Sequence, residues 1–202
     1  PQDLKFRGEY TTAEVGDNTM IRECVTVSRG TAARGKTVVG SNVLLMAYVH
    51  IGHDCVVGNH CILANRVSLA GEVELDDWAI LGGHCAVHQF SRIGAHVMVS
   101  GGSLISKDIP PFLTAAHNPL SYVGINSVGL RRRNFTNEQI NQIQDMCRIL
   151  FQSGHSYSHG CELVEQEIPQ SPERDMMLNF IRASKRGIIK PYNANKKHEE
   201  LG

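Results

Sequence analysis

His53, Gly71 and Gln89 are separated by 18 residues each. In a chain whose turns take 18 residues they share one place on successive turns, and strands on adjacent turns lie about 4.8 Å apart. An imidazole at His53 then stands one turn from the peptide N–H of Gly71, where no side chain obstructs approach. A base beside an open amide donor suits acyl transfer to a hydroxyl. The imidazole takes the proton of the attacking oxygen, and the amide holds the charge that develops on the carbonyl oxygen. Histidine fits the first role because its ordinary pKa, about 6.5, lies near neutral pH. His50 ends the preceding repeat and can reach the same cleft, and His88 adjoins Gln89 two turns from His53. Asp54 can orient the His53 ring through Nδ1 only if the chain turns a corner there, because neighbours on a strand point opposite ways. The plainer alternative for each histidine is a surface residue that merely hydrogen-bonds.

The 18-residue frame rests on a period of six. From Val39, steps of six reach Leu45, Ile51, Val57, Leu63, Leu69, Leu75, Leu81, Val87, Ile93, Val99 and Ile105, every one aliphatic. Four residues after each stands a small or β-branched residue, from Val43 to Ile109, as a narrow interior requires. Glycine or alanine often follows the aliphatic directly (Gly40, Gly52, Gly58, Ala64, Ala70, Gly82, Gly94), which predicts a backbone bend in a conformation open to glycine. Val15, Ile21 and Val27 keep the same phase. A period of six fits neither a helix nor simple strand alternation. It predicts short parallel strands joined by tight corners into a three-faced prism, three hexads to a turn, each rung burying its aliphatics on the next. Cys55, Cys61 and Cys85 fall on interior positions and read as inert small hydrophobes.

Residues 29–37 interrupt the repeat and predict a loop thrown out from a corner. Their Gly30-to-Thr37 stretch matches the phosphate-loop pattern, yet the hexads resume at Val38 with no room for the helix that such a loop needs. The prism is placed at residues 1–111, since the period ends after Pro110-Pro111. A connector (112–135) and a helical region follow, up to 189. Thr136 and Gln139 form a capping box before an apolar helix that Gly154 stops. A short helix is predicted around 162–168, and Ser171-Pro172 opens another. Residues 190–202 read as a frayed polar tail. In the connector, Arg131, Arg132 and Arg133, with Asn126 upstream, could grip a diphosphate or an acidic protein, or simply form a solvated face. Gly83 and Gly101 stack below Asn65 and leave a side of the prism bare, as an acyl chain or a plain bend would each require.

Composition excludes whole classes. In 202 residues, Lys plus Arg and Asp plus Glu number 20 each, split 9 to 11 over residues 1–110 and 11 to 9 beyond, which lacks the footprint of a nucleic-acid binder. With 42% hydrophobic and 20% charged residues the chain can bury a core. No apolar run approaches the roughly 18 residues of a membrane span. Six unpaired-looking cysteines point to a reducing cytoplasm. The chain opens on Pro1 without methionine, which reads as a processed or shortened piece.

The stretch LLMAYVHIGHDCVVGNHCILANRVSLAGEVELDDWAILGGHCAVHQFSRIGAHVMVSGG (44–102), with RECVTVSRGT (22–31), DIPPF (108–112) and GINSVGLRRRNF (124–135), resembles the UDP-N-acetylglucosamine O-acyltransferases of lipid A biosynthesis. The similarity runs from about Gln2 to Ile189. It implies a mainly β fold, a left-handed parallel β-helix followed by a small helical domain. It also implies a homotrimer with the active site between neighbouring prisms; the apolar outward residues Met46, Ile62, Ile80 and Met98 give a physical reason for association. The implied reaction moves a 3-hydroxyacyl group from the phosphopantetheine of acyl carrier protein to the sugar 3-hydroxyl, with no bound cofactor or metal. By matching positions, His53 corresponds to the general base and Gly71 to the oxyanion amide. Asp3, Lys5, His50, His88 and Gln89 correspond to sugar and phosphate contacts, and Asn126, Arg132 and Arg133 to uridine-side positions. Gly101 corresponds to the position limiting acyl length, and glycine there implies a longer chain. The sequence departs from the family at Glu72, where a second active-site histidine is usual, at Val128, usually acidic, at His84, often apolar, and in the turns that family members carry before the position of Gln2. Other classes compatible with the scaffold are a trimeric zinc enzyme of the γ-carbonic anhydrase type, which would draw on His53 and His60, a sugar N-acyltransferase, and a non-catalytic β-helical scaffold.

Overall fold

The computed structural model describes residues 2–192. Residues 12–105 form a prism of three parallel sheets. The first face stacks Thr12–Val15, Lys36–Val39, Val56–Val57, Glu74–Leu75 and Arg92–Ile93. The second begins with Met20–Ile21, Leu44–Leu45, Ile62–Leu63, Ile80–Leu81 and Met98–Val99, and the third stacks Thr26–Val27, His50–Ile51, Ser68–Leu69, Ala86–Val87 and Leu104–Ile105. The chain visits them in rotation. Each strand hydrogen-bonds to the turns beside it, as where His50 N–H donates to Val67 C=O at 2.9 Å and Ile62 N–H to Ala79 C=O at 3.0 Å. Both interior series are buried throughout, the aliphatics from Val39 to Ile105 and the smaller residues from Val43 to Ile109. The three interior thiols lean on carbonyls of the next turn (Cys55 on Ala70, 3.0 Å). Burial pushes Cys55 up to about 11 and Cys61 up to about 12, which keeps both protonated and unreactive.

The corners differ from the sequence reading. The left-handed backbone falls three residues after the aliphatic, on Asn42, Tyr48, Asp54, His60, Arg66, Glu72, Trp78, His84, Phe90 and His96, with φ between 58° and 67°. The glycines directly after the aliphatic have ordinary φ; what excludes a side chain there is close approach between turns. A Cβ on Gly40 would lie 2.8 Å from the Gly58 carbonyl carbon, and one on Gly52 2.7 Å from that of Ala70. Where glycine follows the aliphatic, the corner thus carries one residue without a side chain against the next turn and one side chain on a left-handed residue.

The interrupting loop is shorter than 29–37, because Lys36 and Thr37 already belong to the first face. Across it, strand partners are 24 residues apart (Thr12 with Lys36), against 18 on the turns that follow as far as Leu104–Ile105 (Val38 with Val56, Ala86 with Leu104), so it absorbs six residues. A strand at the place where a phosphate loop needs a helix removes that motif. The connector at 112–135 contains regular structure of its own. Leu113–Ala116 extends the second face, pairs antiparallel with Ser121–Ile125, and leads into helix α1 (Ser127–Arg132). Helix α2 (Asn137–Gln152) starts on the expected capping box, Thr136 with Gln139, and buries Ile140, Ile143, Met146, Cys147, Leu150 and Phe151. Helix α3 spans Tyr157–Glu167, longer than predicted because Ser156 caps it, and α4 spans Pro172–Ala183 behind Ser171. Phe151 stacks on Tyr122 at 4.4 Å, fastening the helices to the sheet. Lys190 and Pro191, assigned to the tail, instead pair with Ser121 and Tyr122, and Tyr192 N–H donates to the Tyr122 carbonyl at 3.0 Å; residues 193–202 of that tail lie outside the described residues. Among the described residues no helix is long and apolar enough to cross a membrane.

Replacing Gly40 by alanine forces a Cβ onto rigid backbone and is expected to lower unfolding stability by about 2 kcal/mol. Asn42→Gly, at a left-handed position that glycine accepts, should stay within about 0.5 kcal/mol of the parent. Denaturant titration of both variants checks the contrast.

Candidate active site

His53 lies on the edge where the third face turns into the first, and it is 8% exposed. Its ring covers Gly71 on the next turn: a Cβ there would overlap Nε2, so only glycine admits the imidazole. Among the described residues the Gly71 N–H has no hydrogen-bond partner. Gln89 follows one turn on, half-buried.

Asp54 occupies the left-handed corner position, φ 59°, and this turns its carboxylate back onto the preceding ring. Oδ2 lies 2.8 Å from His53 Nδ1. Oδ2 also accepts the Thr31 hydroxyl at 2.6 Å, and Oδ1 accepts the N–H groups of Thr31 (2.9 Å) and Arg34 (3.1 Å). Burial works to raise the Asp54 pKa. The Thr31, His53 and Arg34 hydrogen bonds outweigh it and hold the carboxyl below its usual value. An ionised carboxylate only accepts, so Nδ1 carries the ring proton and Nε2, facing Gly71, presents its lone pair. Thr31 has no signal in the sequence beyond the interrupting loop that holds it.

Of the other candidates, His50 lies in the third-face strand that leads to this corner, and His88 directly follows the third-face strand Ala86–Val87. His50 is half-buried, its Nδ1 2.7 Å from the Thr26 hydroxyl and its Nε2 2.9 Å from Gln2 Oε1. Burial lowers its pKa. The Gln2 contact brings the N-terminal segment to His50, and within that segment Asp3 Oδ1 accepts Lys5 N–H at 2.9 Å. His88 is exposed and donates through Nδ1 to the Gln89 carbonyl at 3.0 Å. Glu72, one turn from Asp54, borders a hollow of about 650 Å³ walled by Arg34, Glu74, Phe90 and Arg92.

The remaining candidates lie on other edges. Where the first face turns into the second, His60, Trp78 and His96 stack at 18-residue spacing, with centroids 4.1 and 6.4 Å apart, and Phe112 continues the ladder. Arg133 packs its guanidinium over Trp78 at 5.0 Å. Asn126 caps α1 through Oδ1 and donates Nδ2–H to the His96 carbonyl at 2.8 Å, so both ends of its amide serve the fold. Arg132 is exposed. Arg133 Nη1 and His96 Nδ1 are buried without a partner among the described residues. His60 thus belongs to a different edge from His53, and no three His, Cys, Asp or Glu side chains among the described residues converge as metal ligands. On the third edge, Gly83 and Gly101 meet backbone to backbone, a Cβ on Gly101 lying 3.0 Å from Gly83 O.

This prism and its corner dyad place the chain among the hexapeptide-repeat bacterial transferases, whose family pattern matches residues 36–71. Residues 108–189 match the second domain of UDP-N-acetylglucosamine O-acyltransferase, and the chain belongs to that family. It is 51% identical over 197 residues to the acyl-[acyl-carrier-protein]–UDP-N-acetylglucosamine O-acyltransferase of Chlorobaculum parvum, covering 96% of this chain and 75% of that protein. The corresponding enzyme of Thiobacillus denitrificans is 44% identical over 94% of this chain and 74% of its own length. The crystal structure of the UDP-N-acetylglucosamine acyltransferase from Bacteroides fragilis superposes with a TM-score of 0.93 at 53% identity, over 94% of this chain and 74% of that one.

Burial, then the Arg133 charge, pushes His96 down to about 4, against a smaller opposing pull from Asp77. A histidine depressed from 6.5 binds its proton more readily when unfolded, so its contribution to stability falls as pH drops from 6.5 toward 4. Thermal midpoints measured across that window should decline in the parent and decline less in His96→Phe.

Proposed function

We propose that His53, Asp54 and Gly71 perform the acyl transfer for which this family is named. The chain acylates the 3-hydroxyl of UDP-N-acetylglucosamine in lipid A biosynthesis. The donor is an acyl thioester on the phosphopantetheine of acyl carrier protein, with a 3-hydroxyacyl group as cargo. His53 Nε2 removes the 3-hydroxyl proton as that oxygen bonds to the thioester carbonyl carbon. The carbonyl π pair moves onto oxygen, where the Gly71 N–H receives it. Collapse of this intermediate breaks the C–S bond, and the departing thiolate takes the proton back from Nε2. Asp54 keeps Nδ1 protonated and steadies the imidazolium between the two transfers. The observation that carries this reading is the overlap of His53 Nε2 with the place a Cβ of residue 71 would fill.

The sugar and its phosphates fall to Asp3, Lys5, His50, His88 and Gln89 around the dyad. The nucleotide falls to the exposed Arg132 and the half-buried Arg133, with Asn126 shaping the α1 end. Gly83 and Gly101 leave an edge bare for a long acyl chain. These sets lie on three different edges of one prism, so a complete cleft needs neighbouring chains side by side, and a homotrimer supplies them. Met20, Leu44, Ile62, Ile80 and Met98 form an apolar stripe along the outside of the second face, with Met20 57% exposed, which suits such packing. Met46, expected in that stripe, sits instead at the corner after Leu45.

His53→Ala is expected to lose roughly 10³-fold in kcat with acyl carrier protein thioesters and UDP-N-acetylglucosamine. Turnover close to the parent, read from product mass, would remove the assignment. Sedimentation should give a particle three times the 22.3 kDa chain, and a monomer at micromolar concentration would refute the shared cleft.

A further inference from the structure

Three of the four donors that fill the Asp54 carboxylate come from one loop: the Thr31 hydroxyl, the Thr31 N–H and the Arg34 N–H. A carboxylate offers about four acceptor sites, so Asp54 is saturated, with one site left to His53. The loop is built to hold that arrangement. It closes on itself where Gly35 N–H donates to Thr31 C=O at 2.7 Å, and its neck brings Gly30 against Lys36 so tightly that a Cβ on residue 30 would overlap backbone. The Thr37 hydroxyl at its exit accepts Asp54 N–H at 2.8 Å. Outside, the Arg34 side chain is tied to Glu74, which Arg92 Nε holds at 3.1 Å, so the loop is anchored to two later turns of the first face. No other corner of the prism has such an extension. Glu72, at the equivalent place one turn on, has no side-chain hydrogen bond among the described residues.

We infer that the 30–35 loop is a third partner of the His53–Asp54 pair, with Thr31 and Arg34 as positioning residues that fix which ring nitrogen bears the proton and how basic the other is. This rests on His53 being the base. Both donors to Oδ2 draw on the same oxygen, so the Thr31 hydroxyl limits how strongly Asp54 can pull on the Nδ1 proton. Without it the carboxylate would be a stronger acceptor, the imidazolium would be favoured, and the ring would be freer to swing.

The test compares Thr31→Val, Thr31→Ser and His53→Ala in the full chain, by pH profiles of kcat and kcat/KM with acyl carrier protein thioester and UDP-N-acetylglucosamine. Thr31→Val should move the acidic limb of kcat/KM to higher pH by roughly half a unit or more. It should also lower plateau kcat about ten-fold, and Thr31→Ser should recover most of both. An unmoved limb in Thr31→Val, whether activity is retained or falls evenly at every pH, overturns the inference while an inactive His53→Ala leaves the base assignment standing. An active His53→Ala overturns both. Nitrogen-15 spectra of the unaltered protein need no variant to fold: above the ring's pKa they should show Nδ1 protonated and Nε2 bare, and the reverse tautomer refutes the role given to the loop.

Discussion

Everything in this molecule depends on the contact between one turn and the next. The interior admits two side chains per face per turn, one aliphatic and one small, and each must rest on its counterpart in the neighbouring turn with no slack. That demand sets the period of six and keeps each aliphatic in column with the one 18 residues away. It also dictates glycine or alanine where two corners meet backbone to backbone. Chemistry follows from the same contact: the His53 ring covers Gly71 because consecutive turns cannot be farther apart than a strand spacing.

The corners convert this constraint into a site. A left-handed residue throws its side chain outward, and at Asp54 that direction brings the carboxylate back to the residue before it. Two neighbours that would point to opposite sides of a strand become a hydrogen-bonded pair. At His60, Trp78 and His96 the same geometry makes a column of parallel rings, with the Arg133 guanidinium over Trp78. Bulky residues such as Trp78 and Phe90 tolerate the unfavourable backbone because both sides of each corner are clamped by ladder hydrogen bonds.

The prism was legible because its signal is one-dimensional. An aliphatic at every sixth position from Val39 to Ile105 is visible without knowing any contact, and so is the His53–Gly71–Gln89 column. The capping box at Thr136 and the Ser171-Pro172 start were legible for a similar reason, since caps act within three or four residues. What escaped depends on long-range meetings. The Leu113–Ala116 and Ser121–Ile125 hairpin has no period of its own and exists because the second face offers an edge to extend. Glycine at the corners reflects steric closeness between turns rather than backbone freedom, and that closeness is a contact between residues 18 positions apart. The His60–Trp78–His96 ladder keeps the same 18-residue spacing, but its stacking depends on the side-chain direction that the left-handed corners impose, which spacing alone does not carry. Thr31 lies 23 positions from Asp54 and shares no motif with it.

The six residues absorbed between the third and first faces are the length of one hexad, yet they leave the strands in phase as far as Leu104–Ile105. A corner is thus a place where the chain can lengthen by a whole repeat without the stack registering it, as a staircase can gain a balcony at a landing while its steps keep their rise. The core and the accessories of such a prism can therefore change independently, and new parts can be added at its edges without any retuning of the hydrophobic columns within.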